Sequence, residues 1–239
     1  MHLFEALLPL ASSLISFVFA GFVLKRWNTN HRPHHLLWGI GLLMYAIGGL
    51  MEALYGFFGW HPLVFRLWYL FGAVLVAAWL GQGTVYLLIR KRVAGVRVAD
   101  ILMAVLLLGS LFAAYRVFSA QLDPTRMISG ELSGHAIITP GVRVLTPFFN
   151  IYGVIMLVGG AIYSAWIFWR KRIMLNRTIG NIFIAAGALA PAFGGAFQRF
   201  GIPLALYLGE FIGAVLMFIG FLYSTRPEMV GETARVRQA

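Results

Sequence analysis

Two glutamates stand where an acidic side chain is costly. Glu210 lies about a third of the way into the apolar stretch 203–223, and Glu52 lies near the end of another, 36–58. A carboxylate inside a bilayer needs a partner, water or a ligand. The chemistry such groups offer is the binding of a proton or of a cationic group. Burial favours the protonated acid, and a nearby arginine favours the carboxylate. Asn150, Tyr69 and Gln82 are further polar residues on apolar stretches, as are Ser12, Ser13, Ser16, Thr84, Tyr86 and Tyr152. Glu210, Glu52, Asn150, Tyr69 and Gln82 form the candidate set for binding a ligand or a proton. Arg66, Arg116, Arg143 and Arg199 fall near span ends and are candidate outer charge partners. A plainer reading competes with this one. Glu–Arg pairs clip helix ends together, serines let helices approach closely, and long arginines reach back to the interface. Gln82, with Thr84 and Tyr86, either lines an inner exit path or hydrogen-bonds a neighbouring helix.

The elements that carry these residues are legible from composition. The 239-residue chain is 60% hydrophobic and 11% charged, with a mean hydropathy of +0.83. Soluble domains carry about 25% charge, so this chain reads as an all-α, polytopic membrane protein. Seven spans are predicted, at about 4–24, 36–58, 63–89, 99–118, 142–169, 178–200 and 203–223, in one seven-helix domain. Pro62 suits the first turn of a helix. Asp123-Pro124, Gly130, Gly134 and Pro140 break the chain over 119–141, which is expected outside the membrane as a small cap or a mobile loop. Pro191 falls inside the sixth span, where it frees a carbonyl. Residues 224–239 form a polar tail. Trp38, Trp60 and Trp169 take interfacial positions.

Charge orients the spans. Fourteen of the nineteen lysines and arginines fall in the odd loops and the tail, and five fall on the other side. Basic loops stay in the cytoplasm, so the N-terminus is expected outside and the C-terminus inside. The first span has its basic residues after the apolar run, opposite to a secretory signal, and reads as a retained span. The basic inner rim should attract anionic lipid headgroups. The pI of 10.6 is thereby explained by topology and not by nucleic-acid binding. His31, His34 and His35 read as a solvated part of the first inner loop.

Spans 2–3 and 6–7 align at an offset of 141. Gly39 meets Gly180, Pro62 meets Pro203, and GAVL at 72–75 meets GAVL at 213–216. Two parallel three-helix units joined by span 4 would follow, a 3+1+3 arrangement with a binding site at the interface of the repeats. The layout resembles that of sugar transporters of the SWEET kind and of microbial rhodopsins, in layout and not in motif. No Pro-Gln pair is present. Retinal requires a lysine in the last helix, and Lys25, Lys91 and Lys171 all fall at cytoplasmic ends, which argues against retinal.

Other chemistry is excluded by residue type. The chain has no Cys, so disulfides and thiolate metal sites are ruled out. No histidine falls mid-span, which argues against a bis-histidine haem. No HExxH and no Gly-rich nucleotide loop occurs. The best-supported expectation is a small-solute transporter or permease of the cell membrane, with an outward-facing polar pocket around Glu210 and Glu52 and a link to protons. The alternatives are a sensor- or receptor-like module acting through a separate cytoplasmic partner, and a structural subunit of a membrane complex. An intramembrane enzyme would need a nucleophile or metal set, and none is present. Ligand identity and oligomeric state, homo-oligomer included, are open at this stage.

Overall fold

The computed structural model describes residues 3–127, 131–171, 174–200, 202 and 204–225. Seven helices in it are long and apolar enough to cross a membrane. They are α1 (Leu3–Asn30), α2 (Pro33–Phe58), α3 (Pro62–Leu88), α4 (Val98–Phe118), α5 (Val142–Arg170), α6 (Leu175–Arg199) and α7 (Ala205–Thr225). Each buries one face and leaves apolar residues on the other, as a lipid-embedded helix must. Pro62 begins α3, and His61 Nδ1 accepts the Leu63 N–H at 3.3 Å. The tail beyond Thr225 lies outside the described residues.

Six of the helices form a ring in which α1 packs on α2, α2 on α3, α3 on α5, α5 on α6, α6 on α7, and α7 back on α1. Phe19 stacks on Phe218, centroids 5.0 Å apart, and closes the seam between α1 and α7. α4 stands outside the ring against α3 and α5. Only 17% of its apolar window is buried within the protein.

Close backbone approach sets these neighbours. The α6–α7 pair is packed most extensively. A Cβ on Gly180 would lie 2.5 Å from the Gly220 carbonyl oxygen, and one on Gly187 2.8 Å from that of Gly213. One on Gly194 would lie 2.5 Å from that of Ala205. Glycines seven residues apart fall on one helix stripe, and here they let two backbones touch at every second turn. The same device joins α3 to α5, where a Cβ on Gly153 would collide with the Ala77 carbonyl.

Two loops take a definite form, and one sequence expectation is corrected. The loop after α3 is a small hairpin, with Arg92 opposite Arg97 and Val93 opposite Val96. Its Ala94-Gly95 turn has φ of 49° and 84°, as a primed turn requires. Residues 119–141 are a folded cap where described: Leu122 bridges Ile137, and Ile138 N–H donates to Gln121 O at 3.0 Å. Leu132, Ala136 and Ile137 are buried in the main core, so this segment closes one end of the bundle. His34 and His35 are buried, not solvated. α2 begins at Pro33 and turns both rings inward against Trp38.

Candidate functional site

Glu52 and Glu210 come from helices far apart in sequence and meet in the half of the bundle nearer the cap. α2 ends six residues beyond Glu52, and α7 begins five residues before Glu210. At about 1.5 Å per residue the two lie at matching depths, roughly 7.5–9 Å inside the helix ends. Their carboxyl groups adjoin. Glu52 is 2% exposed; Glu210 keeps part of its surface accessible.

The pair is framed by aromatic donors. Trp68 Nε1 donates to Glu52 Oε1 at 2.6 Å. The Tyr45 hydroxyl donates to the Glu210 backbone carbonyl at 2.8 Å, tying α2 to α7. Glu52 Oε2 is buried and makes no well-aligned hydrogen bond. From the cap, Glu131 adds its negative field to that of the pair. Among the described residues, no lysine or arginine figures in the groups that act on Glu52 or Glu210. Two adjoining carboxyl groups in an interior poor in water can take up a proton or a cationic group between them.

Trp68 is placed by a local break in helix type. Residues Trp68–Leu75 form a π-helical stretch within α3. Such wide turns recur at functional sites. Here the stretch buries the consecutive residues Trp68, Tyr69 and Leu70. Trp68 faces Glu52 on α2, while the Tyr69 hydroxyl meets Thr146 Oγ1 on α5 at 2.8 Å. Asn150 Nδ2 donates to the Ala73 carbonyl, inside the same stretch, at 3.2 Å. Tyr69 and Asn150 thus brace the segment that carries Trp68 and do not touch the acid pair themselves. Gly134 of the cap sits on the Tyr69 ring, where a Cβ would lie 3.0 Å from Cε2.

Gln82 belongs to a different cluster, farther from the cap. It is fully buried. Its Nε2 donates to the Ala99 carbonyl at 2.8 Å, and its Oε1 accepts a short hydrogen bond from the Tyr152 hydroxyl. Tyr86 donates to Asp100 Oδ1 at 2.8 Å, and Trp38 Nε1 donates to Thr84 Oγ1 at 3.4 Å. These bonds knit α3 to α2, α4 and α5.

Among the described residues, no arginine pairs with the buried acids. Arg66 Nη2 donates to the Ala120 carbonyl at 2.9 Å and Arg116 Nη2 to the Pro140 carbonyl at 2.7 Å, so both hold the cap. Arg143 is exposed. With Arg126 and His135 it lines an open depression of about 390 Å³ on the cap. The Arg199 side chain lies outside the described residues. Among the described residues, the ion pair that forms is Arg126–Asp123 at 3.2 Å, within the cap.

Sequence reading missed Trp68, Tyr45 and Glu131. A tryptophan and tyrosines beside acids on apolar spans were the available signal, but only the fold shows which of them face inward. Comparison with protein-family models, with curated proteins and with solved structures finds no match. The chain is a polytopic, seven-helix membrane protein by its own features.

Proposed function

We propose that this protein is a small-solute permease whose work is linked to proton binding at Glu52 and Glu210. One observation carries the reading: two carboxyl groups from the second and seventh helices adjoin in the bundle interior, and among the described residues no basic side chain acts on either. A buried acid pair kept for packing alone would be replaced without loss by apolar residues. An ionisable pair inside a membrane marks an ion or proton path by default. The orientation that fits has the cap outside and the basic loops, with the tail, in the cytoplasm of a cell, where those loops meet anionic lipid. The site is then Glu52 and Glu210, with Trp68 and Tyr45 framing it.

Reconstituted vesicles carrying a pH-sensitive dye test this. The parent protein should pass protons or a proton-coupled solute, and Glu210→Gln should reduce that flux to the level of empty vesicles while eluting as a folded protein. Unchanged flux in Glu210→Gln removes the pair from the mechanism.

A second reading draws on the cap. Its folded segment closes the outer end, and the depression above it opens outward. That arrangement suits a seven-helix sensor signalling through a separate cytoplasmic partner. Ligand-dependent changes at the inner loops, without flux, would favour it.

A further inference from the structure

The depression on the cap takes no part in the acid pair. Arg126, His135 and Arg143 line it, with Ile138, Pro140 and Gly141. Among the described residues no acidic side chain lines it. Its volume of about 390 Å³ falls within the range of about 300–1,000 Å³ usual for small-molecule sites.

Its walls are tied in place. The Ile138 N–H donates to Gln121 O at 3.0 Å, and the Gln121 N–H donates to Thr139 Oγ1 at 2.9 Å. Ser133 Oγ and His135 Nδ1 share a hydrogen bond of 3.1 Å. Arg116 Nη2 holds the Pro140 carbonyl at 2.7 Å and comes within 3.7 Å of where a Gly141 Cβ would stand. A third guanidinium therefore adjoins the depression. Arg126 meets Asp123 through Nε at 3.2 Å, and its side chain is still 58% exposed. Arg143 forms no ion pair among the described residues.

Arg143 also heads an apolar stripe on α5. Pro147, Ile151 and Ile155 follow it at helical spacing, and all are exposed, with Phe148 beside them. Ile138 is exposed within the depression itself. On α4, the Arg116 guanidinium lies 5.8 Å from the centre of the Phe112 ring, and Phe112 and Leu108 are exposed below it. A cationic hollow thus opens at the head of two bilayer-facing helix surfaces.

We propose that the depression binds the phosphate of an anionic glycerophospholipid, whose acyl chains lie along the exposed faces of α4 and α5. A guanidinium grips a phosphate through two parallel N–H donors, and basic pockets between membrane helices hold acidic headgroups. A soluble anion would use the hollow and leave the apolar faces beneath it unused; a phospholipid uses both. The site rests on neither functional reading above. It is separate from the basic loops, since the hairpin lies at the opposite end of α4. It also gives α4, which buries little of itself in the protein, a second attachment to α5. The headgroup would steady the cap beside Gly134, which sits on the Tyr69 ring.

Native mass spectrometry of the full chain, released from detergent after titration with phosphatidylglycerol, tests the site. Diacylglycerol with the same chains and soluble glycerol 3-phosphate are the comparison probes. One phosphatidylglycerol per chain should be held tightly, and neither comparison probe should be. Arg143→Ala and Arg126→Ala should each raise the half-saturating lipid concentration by about tenfold. Arg143→Lys and Arg126→Lys, which keep the charge and lose the fork, should raise it less. They also serve if an alanine variant fails the check of helical circular dichroism. The hairpin double variant Arg92→Ala, Arg97→Ala should thin loosely held lipid at the basic loops and leave the tight copy. Four results overturn the proposal. One is a tight copy that survives unweakened in the cap variants. The second is its equal loss from the hairpin variant, which makes the binding a general attraction to basic surface. The third is diacylglycerol held as tightly, which makes it apolar contact alone. The last is displacement by glycerol 3-phosphate at equal concentration, which makes it a soluble-anion site.

Discussion

The bundle holds two buried polar clusters, and they are built on opposite logic. Away from the cap, Gln82 is saturated: both ends of its amide are bonded, to Ala99 and to Tyr152. Nearer the cap, Glu52 has one oxygen held by Trp68 and one left over, beside a second carboxyl. A polar group whose bonds are complete within the protein is a fastener. One whose bonds are incomplete is costly unless something else supplies them. The contrast separates structural from working residues without reference to residue type, since all of them are polar groups on apolar helices.

The largest expected effect sharpens this contrast directly. Glu52→Gln and Glu210→Gln should each abolish flux while leaving the midpoint of thermal unfolding at or above that of the parent, because each removes one acid from a buried pair that cannot stay fully ionised. A marked fall in that midpoint would make the pair a fastener too. Gln82→Leu should do the opposite to stability. It strands the Tyr152 hydroxyl and the Ala99 carbonyl and should cost about 1–3 kcal/mol, read by denaturant or thermal unfolding in detergent. Stability equal to the parent's would show that the inner cluster holds nothing together.

Smaller effects test the brace and the cap. Asn150→Ala removes the donor to the Ala73 carbonyl in the π-helical stretch and should cost about 0.6–1.7 kcal/mol, the range for hydrogen bonds between membrane helices. Unaltered stability would mean that the stretch stands by itself. In the cap, the Thr125 hydroxyl and backbone N–H, with Arg126 beside them, hold Asp123 below the usual carboxylate range. Its ionised form is the one favoured by the fold. The contribution is therefore complete above about pH 4 and is lost as pH falls through the lowered value. Proteolysis or amide exchange over the cap should rise slightly in that acidic window and nowhere else. Asp123→Asn should remove the pH dependence.

Much of the fold was legible because a bilayer allows so few solutions. Seven apolar runs of spanning length, Pro62 at a helix start and breakers over 119–141 were enough to place the helices. The π-helical stretch was not legible: WYLFGAVL reads as ordinary helix, and only the folded backbone, braced by Asn150 and Tyr69, shows the wider turn. Glu52 and Glu210 stood out by their cost, but their meeting depended on α2 and α7 reaching the same depth in a ring that closes through α1. Gln82 looked like a pocket residue because a buried amide carries no mark of whether its bonds are filled. His34 and His35 looked solvated because they sit among arginines, whereas the helix starts three residues earlier than periodicity suggested and rotates them inward. The 3+1+3 repeat is still a sequence pattern. The ring shows chain-order neighbours, and the glycine contacts of α6–α7 are denser than those of α2–α3.

The glycine stripe between α6 and α7 restricts how this molecule can move. With carbonyls of one helix seated where side chains of the other would be, the two cannot slide or roll past each other without steric collision. They must travel together as one stiff plank. Any opening that exposes Glu210 then has to occur along its free edge, at the Phe19–Phe218 seam and the Tyr45 tether, which makes that edge the hinge line of the bundle.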